Sequence, residues 1–546
     1  MAKLDQSSSL RRQPGRRQPS SNLPIYTMLV TAVTVALLAV SLGLPETSSK
    51  SLDDTFHLEK IPVSKVLRQN LQLAKHSWEH GVLTHALLEL QNPELTVFAG
   101  PGYGFDLRNP ARGSNGELTS LEAFPSGQLP RCGRGSGSSS AGWGRYDDWT
   151  KVKGLRYAAS KTQTTPIRAP IKSTKKGSTR QWLTESESAA DAASLGWAAL
   201  LLERAGAEDP VNPVGVGRNA YGEAADDMMR WLVEDNPKYY STPEKHANGV
   251  QLDREVGSSV GRKWAISHRA DSVQLWADSV FMVSPFLAAY AVARQDESWL
   301  WEAVEQIKAY HAVLVDQLET ISARNTSDSS QKGLWKHIVS QPTKLDSSEC
   351  CHDESYWLTG TGWAVAGIVR VLGVLTRWQN HAARMTSDEM QKHGDQRAAA
   401  IASLESMSND ALATLKKGHG DLSRLLSNYL DEPGSKAAKW AFEDAAGTAL
   451  VVSSIYRLAQ IDHLQDHSLI NWADDLYNVV AKHVDEDGFL GPVTTVSQVP
   501  AKESVNATSE GQSFALMMFA ARRDCISSSI CRSSTRQTWP EWFGLA

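Results

Sequence analysis

The chain has 546 residues, of which 41% are hydrophobic, and a formal net charge of -5. That length is enough for a large core and for one to three domains. The mild acidity excludes the broad basic surface of nucleic-acid-binding proteins, so we expect no nucleic-acid partner. Eighteen Trp residues are more than a core of this size needs. Aromatic rings pack on the apolar faces of sugars as well as in cores, so carbohydrate is the first ligand class to consider.

The N-terminal region predicts a membrane anchor. Residues 1–24 are polar and basic, and we expect a disordered cytosolic tail. Residues 25–44 carry no charge, and a helix of that length spans about 30 Å, the thickness of the hydrocarbon layer. The basic flank before this run and the mostly acidic flank after it predict a single-pass transmembrane helix, with residues 45–546 in the secretory lumen or outside the cell. A cleaved signal peptide is the alternative.

Two kinds of short signal agree with a lumenal location. Asn325 and Asn506 lie in N-glycosylation sequons. The chain has five cysteines: Cys132, Cys350, Cys351, Cys525 and Cys531. The last two are spaced for a small loop disulfide in an oxidising compartment, and the first three allow one further pair. No Cys-x-x-Cys pair or His/Cys cluster has the spacing of a zinc site, so we expect neither a metal nor a cofactor.

From residue 63 onward the pattern is mainly helical. The exception is residues 100–180, rich in Gly, Ser, Lys and Arg, which predict a long loop insertion. Segments that are apolar nearly all round, such as 362–372 and 445–459, alternate with amphipathic ones such as 298–321. Because the first kind of helix is buried and the second peripheral, the alternation predicts two concentric rings of helices. Inner-helix N-termini would then line a central cup, where polar groups can converge.

Acids in apolar surroundings are the candidate functional groups. The stretch His268–Val292 reads as one helical segment, which places Asp271 and Asp278 on the same face, two turns apart. Burying a carboxylate costs several kcal/mol unless it is paired or hydrogen-bonded. Each acid is therefore either satisfied locally, for example as a helix cap, or used in a site. Glu443 and Asp444 pose the same question, with helix N-terminal acids as the alternative to cup-facing groups.

Four stretches follow one another in a recognisable order: DAASLGWAALLL from Asp191, WADSVFMVSPFLAAYA around Asp278, GLWKH with YWLTGTGWAVAGIVRVL within 333–372, and SEGQSFALMMFAA at 509–521. Together they span about residues 185–524. The body resembles the six-hairpin (α/α)6-barrel glycoside hydrolases, in particular the unsaturated glucuronyl and unsaturated rhamnogalacturonyl hydrolases. The resemblance implies an all-α (α/α)6 barrel, here preceded by one N-terminal transmembrane helix, and an oligosaccharide substrate.

The resemblance also implies roles for individual residues. Asp278 would be the general acid and base, and Asp191 would assist it from a facing helix. His337, after the Gly-Leu-Trp turn, would contact the substrate, with a satisfied loop residue as the alternative. Trp363 would stack on the sugar, with core packing as the alternative. If Asp191 does not match the family position, Glu185 and Glu187 just upstream are the possible substitutes.

Two further tryptophans, Trp276 and Trp357, are candidate substrate contacts with core packing as their alternative. The family usually has Arg just before the Gly-x-Gly-Trp turn, where this chain has Thr359. Arg would be the bidentate partner of a uronate carboxylate.

The implied activity is hydrolysis of an unsaturated uronic acid from the non-reducing end of an oligosaccharide, through acid–base hydration of the double bond. The Arg difference leaves two alternatives open. One is a conventional inverting glycosidase with two carboxylates on the same barrel. The other is a non-catalytic, membrane-anchored protein that binds glycans or serves as a scaffold.

Overall fold

The computed structural model describes the following residues: 62–98, 149–164, 182–186, 188–207, 220–240, 264–315, 331–340, 351–378, 386–496 and 498–531. All of them belong to the compact unit Phe56–Ala546. The predicted tail at 1–24 and the predicted transmembrane helix at 25–44 lie outside these residues. Among the described helices, Leu358–Arg377 alone has the length and apolar composition to cross a membrane, and its apolar stretch is buried inside the protein.

The described residues form mainly α-helices. In chain order they are α1 Val63–Leu73, α2 Ser77–Gln91, α3 Lys153–Lys161, α4 Ala189–Ala193, α5 Gly196–Arg204, α6 Ala220–Arg230, α7 Ser279–Met282, α8 Ser284–Arg294, α9 Ser298–Leu314, α10 Leu358–Arg377, α11 Ser387–Gly418, α12 Ala445–Gln460, α13 Ser468–Lys482 and α14 Ser509–Ser527. A π-helical turn at Trp231–Asp235 continues α6, and short 3-10 turns occur at Pro93–Leu95, Trp149–Lys151 and Ala437–Trp440.

These helices form two layers. The inner layer consists of α2, α4 with α5, α7 with α8, α10, α12 and α14, and these helices are buried on nearly all sides. Successive inner helices contact each other in chain order, and α14 contacts α2, so the ring closes. The outer helices α1, α3, α6, α9, α11 and α13 pack against this ring. The predicted alternation of buried and amphipathic helices therefore produces an (α/α)6 arrangement.

Three short antiparallel sheets join the helices. Their strands are β1 Lys238–Tyr240, β2 Trp264–Ile266, β3 Gln274–Trp276, β4 Ile338–Ser340, β5 Val493–Thr494 and β6 Ser504–Val505, paired in chain order. In the second sheet Trp276 lies opposite Ile338. One position further along, the Ala277 amide donates to the His337 carbonyl at 3.0 Å. This pairing brings the backbone of His337 beside the residue that precedes Asp278.

A buried ion cluster joins the inner helices toward their C-terminal ends. Glu89 of α2 pairs with Arg370 of α10 and, at 3.0 Å, with Arg457 of α12, which also pairs with Asp524 of α14 at 2.8 Å. The ring of Phe98 lies 5.3 and 4.5 Å from the two guanidinium groups. Removing one partner from a buried ion pair costs about 3–5 kcal/mol because the other charge is left uncompensated. The cluster therefore ties four helices together.

The structure contradicts two secondary-structure predictions made from the sequence. Residues 153–161, predicted as part of a loop, form α3, because Leu155 and Ala158 lie one turn apart and are buried against the ring. The single helix predicted from His268 to Val292 is interrupted, since β3 occupies part of its first half and α7 starts only at Ser279.

The predicted small-loop disulfide is confirmed. Cys525 and Cys531 are bonded, with their Cα atoms 5.4 Å apart. The bridge closes the end of α14. Cys132 and Cys350, two of the three cysteines predicted to allow a further pair, lie outside the described residues.

Candidate active site

Four acids from the N-terminal ends of inner helices form what we call the acid cluster: Glu79, Asp191, Asp278 and Glu510. All four are buried. The charge of Asp278 raises the pKa of both Asp191 and Glu510, and the charge of Glu79 also raises the pKa of Glu510. Asp278 therefore lies within electrostatic reach of Asp191 and Glu510, and Glu79 lies within reach of Glu510. Helix N-termini favour negative charge, so this end of the ring is suited to holding several acids.

Asp278 immediately precedes α7 but does not cap it, because its side chain makes no capping hydrogen bond. The residue is 9% exposed, and its Oδ2 atom is buried without a hydrogen-bond partner among the described residues. Burial raises the pKa of the Asp278 carboxyl, and the nearby charge of His337 acts in the opposite direction. A buried acid with one unpartnered oxygen is an arrangement that general acid catalysis can use.

Asp191 lies in the first turn of α4, where Ser188 caps the helix by accepting from the Asp191 amide. Burial, followed by the charge of Asp278, raises the pKa of its carboxyl to about 7. His268 Nε2 lies 3.4 Å from Asp191 Oδ1, and His268 Nδ1 lies 2.8 Å from the Ser279 hydroxyl. Burial lowers the pKa of His268 far below its usual value, so the imidazole is neutral. An Nε2–H tautomer that donates to Asp191 and accepts from Ser279 fits both contacts.

Asp191 provides a buried carboxyl group at this position. Glu185 is exposed, and Glu187 lies outside the described residues.

Glu510 was not assigned a role from the sequence. It lies in the first turn of α14, and its pKa is raised far above the usual value by burial and then by the charges of Asp278, Glu79 and Asp444. The half-buried Trp78 at the start of α2 gives Glu510 a side-chain hydrogen bond. Glu79 accepts from the Lys75 and His76 amides at 2.7 and 2.8 Å, so this acid serves as a helix-capping group.

His337 and the two tryptophans predicted as substrate contacts lie side by side. The ring of Trp276 stacks on His268 with a centroid distance of 4.5 Å and meets His337 edge-on at 5.8 Å. Trp357, on the other side, has its centroid 4.3 Å from that of His337. Trp276 is half-buried, whereas Trp357 is 7% exposed. We call His268, Trp276, His337 and Trp357 the ring row.

Trp363 is placed differently from what its predicted role requires. It is completely buried in α10, with Phe281 and Phe514 each 4.6 Å away between ring centroids. These two rings follow Asp278 and Glu510 along their own helices, so Trp363 packs below the acid cluster. A sugar has no exposed ring face to stack on at this position.

Asp271 is also separate from the acid cluster. It forms a two-pronged pair with Arg269 at 2.8 and 2.9 Å, and this pairing holds the pKa of its carboxyl below the usual value. The residue is not in a helix, because the chain bends between Arg269 and β3. The charge of Arg269 also acts on Asp191 and His268, which places this cation beside the site.

The helix-terminal interpretation of Asp444 is confirmed. Asp444 is the N-cap of α12 and accepts from the amides of Ala446 and Gly447. It also accepts from the hydroxyl of Thr359 at 2.9 Å. Thr359, which stands where the family usually has Arg, is fully buried and fixes this cap. Glu443 pairs with Arg424 on a more exposed part of the surface.

Sequence reasoning found two of the candidate acids but missed the residues that contact the site from distant segments. His268 and Asp353 reach the site through short bridges between distant segments, Ser188 to Arg269 and Ile338 to Asp353. No group of three or more His, Cys, Asp or Glu within the described part of the chain has an arrangement that could hold a metal ion. The site can therefore be described chemically as acids and imidazoles beside aromatic rings.

Solved structures with a similar fold include a possible member of the GH105 family from Salmonella enterica subsp. enterica serovar Paratyphi A str. ATCC 9150, with 14% identity, coverage of 88% of this chain and 96% of that one, and a TM-score of 0.49. A family 105 glycoside hydrolase from C. acetobutylicum ATCC 824 has 15% identity, coverage of 69% and 89%, and a TM-score of 0.45. An unsaturated glucuronyl hydrolase specific for heparin has 10% identity, coverage of 63% of this chain and 76% of that one, and a TM-score of 0.38.

A comparison with curated proteins gave no match. The family model described as Glycosyl Hydrolase Family 88 matches residues 209–522. This segment contains Asp278, the ring row and the start of α14 with Glu510. Because the match covers more than half of the chain, the protein belongs to glycosyl hydrolase family 88 and is a glycoside hydrolase.

Proposed function

We propose that this enzyme removes an unsaturated uronic acid from the non-reducing end of an oligosaccharide, with Asp278 as general acid and base. The observation that carries the proposal is the Oδ2 atom of Asp278, which is buried and has no hydrogen-bond partner among the described residues. A carboxyl group in this state holds a proton more readily than one in water. It also has a free oxygen with which to deliver that proton.

The reaction begins with transfer of the Asp278 proton to C4 of the C4–C5 double bond. Positive charge develops at C5 and is shared with the ring oxygen. Asp278, now ionised, accepts a proton from water as the water oxygen bonds to C5. The resulting hemiketal opens by breaking the bond between C5 and the ring oxygen, and the hemiacetal left at C1 then releases the leaving sugar. Water is consumed, Asp278 regains its proton, and no other reactant is required.

Neighbouring residues support this cycle in different ways. Burial opposes ionisation of Asp278 and so favours its proton-donating form. His337 is the proposed substrate contact, and Trp276 offers the more accessible ring for a sugar face, since Trp357 is nearly covered. Arg269 supplies positive charge near Asp191, where a uronate carboxylate could be held.

The test is a panel of 4,5-unsaturated oligosaccharides, followed by loss of absorbance of the conjugated double bond. We expect wild-type enzyme to remove the absorbance for at least one substrate. Asp278→Asn should lower turnover about 10²–10⁴-fold, the usual contribution of general acid–base catalysis. Asp227→Asn is the matched control, because it makes the same change in an acid that pairs with the surface residue Arg230. Equal turnover in Asp278→Asn and wild type would remove the assignment.

Thr359 favours one second candidate. Its buried hydroxyl is used to fix Asp444, so the Arg that the family usually presents to a uronate is missing at this place. A conventional inverting glycosidase would instead use Asp278 and Asp191 as acid and base on a saturated sugar. Release of reducing sugar from saturated oligosaccharides, with inverted anomeric configuration and no activity on the unsaturated panel, would establish this alternative.

We also propose that the enzyme is a single-pass membrane protein with its catalytic body in the secretory lumen or outside the cell. The uncharged run at 25–44 and its flanks support the anchor. The disulfide between Cys525 and Cys531 supports an oxidising compartment for the body.

A further inference from the structure

Asp353 is a buried acid whose two oxygens face three donors. Its Oδ2 atom lies 3.0 Å from His337 Nδ1 and 2.7 Å from the Tyr429 hydroxyl, and its Oδ1 atom accepts from the Ser355 amide at 3.2 Å. Burial raises the pKa of Asp353, but the contacts with His337, Tyr429 and Ser355 outweigh it and leave the pKa below the usual value. An ionised carboxylate can only accept hydrogen bonds. Nδ1 of His337 must therefore carry a proton.

The backbone holds this pair in place from both sides. Ile338 and Asp353 exchange hydrogen bonds at 2.7 and 3.2 Å, and the His337 amide donates to the Ser355 carbonyl at 3.0 Å. The His337 carbonyl in turn accepts from Ala277, next to Asp278. No hydrogen bond from the described residues reaches Nε2 of His337. His337 is one of the groups that act electrostatically on Asp278, so its ring lies within reach of the proposed acid.

We propose that Asp353 is a positioning residue for the reaction at Asp278. It fixes His337 as the Nδ1–H tautomer and so presents Nε2 as a hydrogen-bond acceptor to the acid cluster and the substrate. The proposal rests on the proposed function for its kinetic consequence. The tautomer itself can be measured without substrate.

The variant Asp353→Asn should reverse the tautomer for a geometric reason. The backbone amide of Ser355 can only donate, so the single oxygen of the new side-chain amide is needed at that position. The amide nitrogen then faces His337 and Tyr429, and it donates to His337 Nδ1 and to the phenol oxygen. In this arrangement the new amide nitrogen donates to acceptors at both His337 and Tyr429, and no two hydrogen-bond donors face each other. It requires the imidazole proton to move to Nε2, so the acceptor next to Asp278 becomes a donor.

Nitrogen NMR of full-length enzyme labelled with 15N at its histidine rings separates the two tautomers. Loss of the signals in His337→Gln assigns His337 among the 15 histidines. We expect Nδ1–H in wild type and Nε2–H in Asp353→Asn. Tyr429→Phe is the matched control, because it removes the other hydrogen bond to the same Asp353 oxygen and should leave His337 as Nδ1–H.

Kinetics then test whether the tautomer matters for the reaction. We expect kcat/KM of Asp353→Asn to fall about 10- to 100-fold, the loss seen when a metal-binding histidine loses its outer partner. The double variant with His337→Gln should be no slower than His337→Gln alone, because Asp353 acts through His337. Additive losses, or unchanged kcat/KM, would overturn the proposal.

The spectra give the remaining outcomes. Nε2–H in wild type would overturn the proposal, and this result does not depend on whether any variant folds. Persistence of Nδ1–H in folded Asp353→Asn would also overturn it. A wild-type enzyme that acts on no unsaturated substrate refutes the proposed function, whereas the tautomer measurement still decides whether Asp353 orients His337.

Discussion

Asp191→Asn should make the protein more stable at alkaline pH while impairing the proposed reaction. In the folded protein, burial and then the charge of Asp278 raise the pKa of Asp191 from its ordinary value of 3.8 to about 7. A group whose pKa is raised on folding holds its proton more tightly in the folded protein. Its contribution to stability is therefore fully present below about pH 4 and is lost as the pH rises through 7.

The size of the effect follows from the same values. At about 1.36 kcal/mol per pH unit, a rise from 3.8 to about 7 amounts to about 4 kcal/mol of destabilisation of the wild-type protein above pH 7. Domains are typically stable by only about 5–15 kcal/mol, so this is a large share of the total. Asn has nearly the same shape and does not ionise. We expect the difference in free energy of unfolding between variant and wild type to grow by up to about 4 kcal/mol between pH 4 and pH 8.

Urea denaturation followed by tryptophan fluorescence at a series of pH values measures this difference without a substrate. Asp271→Asn is the control, since the pairing with Arg269 lowers the pKa of Asp271 and gives its contribution the opposite sign. That contribution is present at neutral pH and is lost on acidification. The free energy of unfolding of Asp271→Asn should therefore not rise above that of wild type at pH 8.

A constant difference between Asp191→Asn and wild type from pH 4 to pH 8 would refute the reasoning. It would mean that Asp191 titrates alike in the folded and unfolded chains. The carboxyl group would then be neither desolvated nor close to the charge of Asp278.

Two further predictions concern the substrate and the compartment. Arg269→Gln should raise KM for unsaturated uronyl substrates about 10- to 100-fold, since a hydrogen bond to a charged group contributes about 1.5–3 kcal/mol. Steady-state kinetics measure this, with Arg230→Gln as the control at a surface arginine, and unchanged KM would exclude Arg269 as the uronate partner. Asn506 is exposed beside β6, so in a secretory host we expect it to carry an N-glycan. Asn506→Gln should then migrate faster on a gel than wild type, and identical migration before and after glycosidase treatment would contradict glycosylation.

The helical body was predictable because its signal is local. A helix such as α10 or α12 carries an apolar pattern over 16 to 20 residues, and this length is enough to distinguish buried from amphipathic helices. The α3 helix escaped prediction because its nine residues are set within a Gly- and Ser-rich stretch. The strand β3 has three residues, too few to show an alternating pattern, and only its pairing with the distant β4 makes it a strand.

The residues of the candidate site also differ in whether a local sequence signal identifies them. Asp278 stands out in sequence because an acid in apolar surroundings must be explained, whereas Asp191 was assigned through the family resemblance. Asp353 does not, since it lies in a polar loop and reaches His337 through a bridge between Asp353 and Ile338. Trp363 illustrates the opposite error, because an aromatic residue at a helix start fits both a sugar platform and a core, and only its contacts with Phe281 and Phe514 decide.

The seam of the ring lies between the first and the last inner helix. Asn70 of the outer helix α1 is hydrogen-bonded to Ser513 of α14. Glu89 of α2 pairs with Arg457, which in turn pairs with Asp524 of α14. Several hundred residues separate Asn70 and Glu89 from these partners. The backbone carbonyls of Glu89 and Leu90 accept from Arg523, close to the end of α14. During synthesis, the earlier inner helices therefore cannot complete their packing until nearly the whole chain has been made and α14 closes the ring. The barrel is a structure that its C-terminal helix completes.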